Sequence, residues 1–123
     1  MIKNNKKTGH VAYIRGKLAE EIAEIYLIKK NWQILQRRFR CPLGEIDLIA
    51  RKNDWLLFIE VKSRKSMKDA LLALSAKQQR RLANAASYYL DFFMESNFNN
   101  IRFDLIAIDE LEQIEHIKNI TTL

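Results

Sequence analysis

Apolar and polar residues alternate most regularly between Gly44 and Lys65, where the pattern repeats every two residues. Two such runs, GEIDLIARK and WLLFIEVKS, lie on either side of the turn-forming pair Asn53-Asp54. This arrangement predicts an antiparallel β-hairpin. If Asn53 and Asp54 form the loop, the register places Asp47 directly opposite Glu60.

The same register places Glu45 opposite Lys62, so three carboxylates and one ammonium group would share one face of two central strands. Asp47 and Glu60 are like charges at close range, which destabilises a protein unless a cation relieves the repulsion. Carboxylate oxygens suit a hard divalent ion such as Mg²⁺. The alternative is a solvated hairpin face with ordinary cross-strand ion pairs, such as Glu45 with Lys62.

Apolar residues at helical spacing predict two helices, one on each side of the hairpin in the sequence. The first begins around Val11 and ends near Asn31. Its apolar stripe comprises Ile14, Leu18, Ile22 and Ile25. The second begins after Ser75, a candidate N-cap whose capping-box partner is Gln78. Its apolar stripe comprises Leu82, Ala86, Tyr89 and Phe93.

Three further strands complete the predicted order αβββαββ. They are Trp32–Arg40 before the hairpin, and Ile101–Ile108 and Gln113–Lys118 after the second helix. A long helix between two strands is typical of a parallel crossover, which should be right-handed. The sequence therefore predicts an α/β fold with a mixed central β-sheet flanked by helices.

The length of 123 residues suits one domain, and we expect residues 1–123 to form it, with 1–9 as a flexible basic arm and 119–123 as a frayed tail. Cys41 is the only cysteine, which excludes a disulfide within the chain. No apolar run approaches the roughly 20 residues of a membrane helix, and no apolar leader segment precedes the first helix. The expected location is the cytoplasm, and no membrane partner is expected.

Charge is distributed unevenly along the chain. Residues 1–90 hold 19 Lys and Arg against 8 Asp and Glu, whereas residues 91–123 hold 2 against 7. A basic surface beside an acidic site favours a polyanionic partner such as nucleic acid, because neutralising phosphates releases counterions. The candidate phosphate contacts are Arg37, Arg38, Arg64, Lys65, Lys77, Arg80 and Arg81. For the arginines of the first strand, the alternative is the charge protection of an exposed edge strand.

Asp47, a gap of twelve residues and then Glu60-Val61-Lys62 resemble the PD-(D/E)xK core of restriction enzymes and Holliday-junction resolvases. More narrowly, GEIDLIA followed by FIEVKSR, with Arg15-Gly16-x-x-Ala19-Glu20 upstream, is similar to the YraN-type family of small bacterial proteins. This likeness covers roughly residues 10 to 109. One departure is that Ile46, and not proline, precedes Asp47.

The resemblance implies a restriction endonuclease-like fold and a metal-dependent reaction on DNA, including branched or structured DNA. In such a site Asp47, Glu60 and the Val61 carbonyl would bind Mg²⁺ or Mn²⁺. Lys62 would orient the attacking water and stabilise charge on the phosphate. Glu20 would join them from the first helix, where the neighbouring Gly16 and Ala23 are small enough for close approach. The alternative for Glu20 is a solvated helix glutamate.

The sequence therefore favours a Mg²⁺-dependent endodeoxyribonuclease. The alternative is a non-catalytic module with a nuclease-like fold that binds nucleic acid without cutting it, because fold does not fix function. A third interpretation is a homodimer whose contact is formed by aromatic residues of the second helix. These residues, which are candidates for base stacking, core packing or a dimer contact, are Tyr88, Tyr89, Phe92 and Phe93.

Overall fold

The computed structural model describes residues 5–93 and 98–121, with side chains described from residue 15 onward. Eight elements occur in these ranges. In chain order they are α1 (Asn5–Lys29), β1 (Gln33–Cys41), β2 (Gly44–Lys52), β3 (Trp55–Ser63), α2 (Met67–Leu71), α3 (Ala76–Phe93), β4 (Asn100–Ile108) and β5 (Ile114–Ile117).

The five strands form one mixed sheet in the order β1-β2-β3-β4-β5. β3 and β4 are parallel, and the other neighbours are antiparallel. The connection between the parallel strands contains α2 and α3, as a crossover requires. The predicted α/β fold and element order are confirmed, with α2 as one additional short helix. Ser66 caps α2 by accepting a hydrogen bond from the Asp69 backbone N–H at 3.1 Å.

Each face of the sheet has its own apolar core. On one face, α1 covers side chains of β2, β3 and β4 through Ala19, Ala23 and Leu27. On the other face, α3 covers the sheet through Leu82 and Tyr89. Phe58 on β3 belongs to the α3 side, whereas its neighbours Leu57 and Ile59 belong to the α1 side. β3 therefore alternates between two buried faces.

The buried stripe of α1 differs from the predicted one. Ala19, Ala23 and Leu27 are buried, whereas Leu18 and Ile25 are 51% and 54% exposed. Alanine allows the helix backbone to lie close to the sheet, so the helix is rotated relative to the stripe of larger side chains. Ile14 lies outside the residues whose side chains are described.

The ends of the described chain also differ from expectation. α1 begins at Asn5, so residues 5–9 are helical where a flexible arm was expected, and residues 1–4 lie outside the described ranges. Residues Asn119 and Ile120 are attached to β4. The Ile120 N–H donates to the Phe103 carbonyl at 2.7 Å, and the Ile120 side chain packs against the α3-side core. Residues 122 and 123 are outside the description.

Two features of the sequence fix where α3 begins and how closely it approaches β2. Ser75 and Gln78 form the predicted capping box, with both reciprocal hydrogen bonds at 3.1 Å. Gly44, at the start of β2, has a φ of +154°, and a Cβ there would lie 2.9 Å from the Arg81 carbonyl oxygen. α3 therefore approaches β2 as closely as only glycine permits. Within the described ranges, no helix is sufficiently long and apolar to cross a membrane.

Candidate active site

The β2–β3 hairpin has the predicted register, but its ladder is shorter than both strands. Pairing runs from Lys52–Trp55 to Leu48–Ile59 and stops there. Asp47 and Glu60 are the next residues along, so they lie where the two strands begin to separate. Their carboxyl groups share a hydrogen bond.

The Asp47 side chain connects β2 to β3 at the point where the backbone ladder has ended. Its Oδ2 accepts a hydrogen bond from the Val61 backbone N–H at 2.8 Å. The alternation of β2 breaks at the same point, because Ile46 and Ile49 both pack on the α3 side while Leu48 packs on the α1 side. The predicted face that grouped Ile46 with Leu48 is therefore wrong. This irregularity lets the Asp47 carboxylate reach β3.

Glu60 is the most strongly perturbed acid in the described part of the chain. Burial, the hydrogen bond with Asp47 and the negative charge of Asp47 raise the pKa of Glu60 from 4.5 to about 9, against the opposing effect of Lys62. Two carboxyl groups in contact cannot both ionise cheaply. At neutral pH Glu60 therefore keeps its proton unless a cation replaces it.

The two acids open into a cavity of about 520 Å³ between the ends of β2 and β3, α1 and the start of α3. We call it the acid cavity. Six of the predicted site residues line it with Asp47 and Glu60: Glu20, Glu45, Val61, Lys62, Arg64 and Arg81. The cavity thus combines carboxylates with a lysine and, counting Arg15, three arginines, which are suited to phosphate.

Glu20 reaches the acid cavity from α1. Its Oε1 accepts a hydrogen bond from Nε of Arg38 at 2.9 Å, and 23% of its side chain is exposed. Burial raises the pKa of Glu20 above 4.5, and the charge of Asp47 adds to this, whereas Arg38 lowers it. The small residue that matters for its approach is Ala23, which is buried, because a Cβ at Gly16 would meet only open space.

Glu45 does not face Lys62 across a ladder, as the register predicted. It lies opposite Arg40 of β1 and forms an ion pair with it at 3.1 Å. The cross-strand pair of Glu45 with Lys62 is therefore wrong. The side chains of Glu45 and Arg40 are 61% and 71% exposed, so this surface pair adds little stability.

The donor set fits a hard cation held by few protein ligands. Within the described ranges, no three His, Cys, Asp or Glu side chains are grouped closely enough to hold a metal ion. Mg²⁺ is usually bound by one or two carboxylates, with waters and substrate phosphates filling the other positions. Asp47 and Glu60 supply such a pair, and a cation would replace the proton that Glu60 holds.

The remaining predicted phosphate contacts lie outside the acid cavity. Arg37 forms an ion pair with Glu24 of α1, and the charge of Glu24 raises the Arg37 pKa. Lys65, Lys77 and Arg80 are exposed but do not line the cavity. Their contact with phosphate stays a prediction.

Sequence reasoning missed three residues that line the acid cavity: Arg15, Ser63 and Gln78. Arg15 and Ser63 belong to segments quoted for the family resemblance, which was the available signal. For Gln78 the sequence predicted only a capping role, which does not indicate that the residue lines a cavity.

The aromatic residues of α3 divide between core and surface. Tyr89 is buried and packs edge-on against Phe39 and Phe58, with ring centroids 5.1 and 5.9 Å apart. Phe92 and Phe93 are 69% and 58% exposed. The core interpretation is confirmed for Tyr89, while a dimer contact through the exposed rings stays a prediction.

Comparison with known proteins assigns the chain to a family. The model described as "Uncharacterised protein family UPF0102" matches residues 19–108. The chain belongs to this family. A UPF0102 protein of Nitrobacter winogradskyi is 46% identical over 97 residues, which cover 79% of this chain and 82% of that protein. A UPF0102 protein of Clostridioides difficile is 39% identical over 110 residues, which cover 85% of this chain and 94% of that protein.

The predicted family membership is thus confirmed. In this UPF0102 chain the matched segment contains Glu20, Asp47, Glu60 and Lys62, and it ends with β4. The acid cavity is therefore built almost entirely from the part of the chain that defines the family.

Proposed function

We propose that this UPF0102 protein is a metal-dependent endonuclease that hydrolyses phosphodiester bonds in DNA, including branched or structured DNA. The observation that carries the proposal is the half-buried Asp47–Glu60 pair, in which burial and the contact with Asp47 raise the pKa of Glu60 to about 9 beside Lys62. Its spacing along the sequence is that of the PD-(D/E)xK core. A pair of acids that repel each other in the free protein is the arrangement expected of a cation site.

Asp47, Glu60 and the Val61 carbonyl would hold Mg²⁺ or Mn²⁺. When bound, such an ion lowers the pKa of water and neutralises charge on the phosphate. Asp47 is held in place because its Oδ2 accepts the Val61 N–H. This fixes the carboxylate relative to the backbone of β3, and preorganised groups contribute most to catalysis.

Lys62 contributes a positive charge two residues beyond Glu60 on the same strand, so both side chains leave the same face of β3. Its ammonium group would orient the attacking water by hydrogen bonding and stabilise the negative charge that develops on the phosphate. Arg64 and Arg81 would position the strand by contacts to neighbouring phosphates. Glu20 would restrain Asp47 and Arg38 from the α1 side.

The test compares wild type with Lys62→Ala on labelled duplex, single-stranded and four-way-junction DNA, with Mg²⁺, Mn²⁺ or chelator. Wild type should cut at least one substrate, and Lys62→Ala should cut it on the order of 10² to 10³ more slowly while still binding it. Lys68→Ala is the matched control, because Lys68 is an exposed lysine of α2 outside the acid cavity. Cleavage that survives in Lys62→Ala or in chelator would contradict the proposal.

One observation favours a second candidate, a module that binds nucleic acid without cutting it. Glu20 and Glu45 are each paired with an arginine, Arg38 and Arg40, and a carboxylate that pairs with an arginine is less available to support a catalytic metal. If wild type binds DNA with a salt-dependent affinity but cuts no substrate with either metal, this second function replaces the first.

A further inference from the structure

A second cavity of about 610 Å³ lies at the other end of the hairpin, beside the turn between β2 and β3 and the end of α1. We call it the tryptophan cavity. The residues that carry the argument are Lys30, Trp32, Lys52, Trp55, Arg102 and Lys118. Trp55 is five residues from Glu60 on β3, so the two cavities are separated by roughly 17 Å of extended strand.

The tryptophan cavity is strongly basic. Lys30, Lys52, Arg102 and Lys118 line it, and none of its described lining residues is a carboxylate. Lys52 Nζ donates to the Lys30 carbonyl at 3.0 Å, which holds the two lysines on the same wall. The nearby Asp104 is fully buried behind Arg102 and balances only one of the four charges.

Arg102 is fixed by a buried network. Its Nε and Nη2 donate to the Asp104 carboxylate at 2.9 and 2.8 Å, and its other N–H groups have no partner in the part of the chain that the structure describes. Asp104 also lies 2.6 Å from Nε2 of His116, whose Nδ1 lies 3.0 Å from the Tyr26 hydroxyl. Burial raises the pKa of the Tyr26 hydroxyl above its usual value of 10.

Aromatic rings complete the cavity. The Arg102 guanidinium lies 5.4 Å from the ring centre of Trp55 and 5.8 Å from that of Trp32, and Lys52 Nζ lies 5.5 Å from Trp32. Trp32 is buried, whereas Trp55 is 37% exposed. An exposed indole beside several cations combines the two features that bind a nucleotide: a surface for base stacking and a positive field for phosphate.

We propose that the tryptophan cavity is a second binding site for a nucleotide unit of single-stranded nucleic acid. The base stacks on Trp55, and the phosphates contact Lys30, Lys52, Lys118 and the N–H groups of Arg102 that do not bind Asp104. This site lies apart from the acid cavity and goes beyond the proposed hydrolysis. It requires no metal and no cleavage.

The sequence supplies an unusually direct assay, because Trp32 and Trp55 are the only two tryptophans of the chain and both line this cavity. Tryptophan fluorescence is titrated in chelator with a short oligodeoxythymidylate, with thymidine monophosphate and with pyrophosphate. The oligonucleotide should quench the fluorescence saturably and at the lowest concentration. A stronger response to the mononucleotide would overturn the assignment to a strand, and an equal response to pyrophosphate would overturn base recognition.

Two variants test the two parts of the proposal by anisotropy of a labelled oligonucleotide. Trp55→Leu should weaken binding by roughly 5- to 150-fold, the range measured for loss of one stacked base, while Trp55→Phe should retain most of the affinity. Lys118→Met removes an exposed cation of the cavity and should reduce the slope of log K against log salt by about 0.7. Lys68→Met, outside the cavity, is the matched control.

Binding that is unchanged in both Trp55→Leu and Lys118→Met would overturn the proposal. So would anisotropy that reports binding while tryptophan fluorescence stays constant, because the strand would then lie elsewhere. Since all measurements are made in chelator, failure of the proposed hydrolysis leaves these results unaffected.

Discussion

The raised pKa of Glu60 has a measurable consequence for stability. Glu60 ionises with a pKa of 4.5 in its ordinary state and of about 9 in the folded protein. The folded state therefore binds more protons between these values, and the free energy of unfolding should fall as pH rises through this range. Replacing Glu60 by glutamine keeps the shape and a hydrogen-bond donor to Asp47 but removes the ionisation.

The magnitude follows from the size of the shift. Each pH unit above 4.5 lowers the free energy of unfolding of the metal-free wild type by up to about 1.4 kcal/mol. The total loss at pH 7 is therefore about 3 kcal/mol. Glu60→Gln should therefore match wild type near pH 4.5 and exceed its stability increasingly up to about pH 9. Residual solvent contact of Glu60 makes these values upper bounds.

The assay is urea unfolding in chelator at several pH values between 5 and 8. Glu45→Gln is the matched control, because Glu45 is an exposed acid of the same cavity, and its substitution should change stability by less than about 0.5 kcal/mol. Adding Mg²⁺ should stabilise wild type more than Glu60→Gln, because only wild type keeps both carboxylates. A difference between variant and wild type that stays constant with pH would refute the raised pKa of Glu60.

Three further predictions concern other parts of the fold. Glu20→Gln should lower Mn²⁺ affinity, measured by calorimetry, by about 10- to 100-fold with stability nearly unchanged; an unchanged affinity would leave Glu20 a solvated glutamate. Gly44→Ala should lower Tm, because its Cβ would lie 2.9 Å from the Arg81 carbonyl oxygen, whereas Gly16→Ala, in open space on α1, should not. Asp104→Asn should lower the free energy of unfolding in urea by about 3 to 5 kcal/mol near neutral pH. This loss should shrink below pH 3.8, because the lowered pKa of Asp104 stabilises the fold only while the carboxylate is charged.

The hairpin was predictable because its register depends on a local signal. Asn53 has a positive φ of 56°, which suits a tight turn, and the strands on either side alternate regularly. What alternation does not indicate is where the ladder ends. The separation at Asp47 depends on β1, which pairs with β2 beyond this point, and on the close approach of α3 to Gly44.

The orientation of α1 and the tryptophan cavity were not predicted from the sequence, and the reasons are related. Large apolar residues dominated the predicted stripe, whereas alanines at Ala19 and Ala23 determine the helix orientation because they permit close packing. The tryptophan cavity joins Trp32, which directly precedes β1, with Lys52 at the end of β2 and Arg102 on β4. Only the sheet register brings such residues together, so no local sequence pattern predicts the cavity.

The hydrogen bond from Val61 to Asp47 affects how inactive variants should be interpreted. Asp47→Ala would remove the acceptor of a strand-closing hydrogen bond together with the proposed metal ligand, so a loss of function would not distinguish ligand chemistry from a frayed hairpin. Asp47→Asn retains an oxygen that can accept the Val61 N–H. Hydrogen exchange of the Val61 amide therefore reports, independently of any substrate, whether the mouth of the hairpin is still closed.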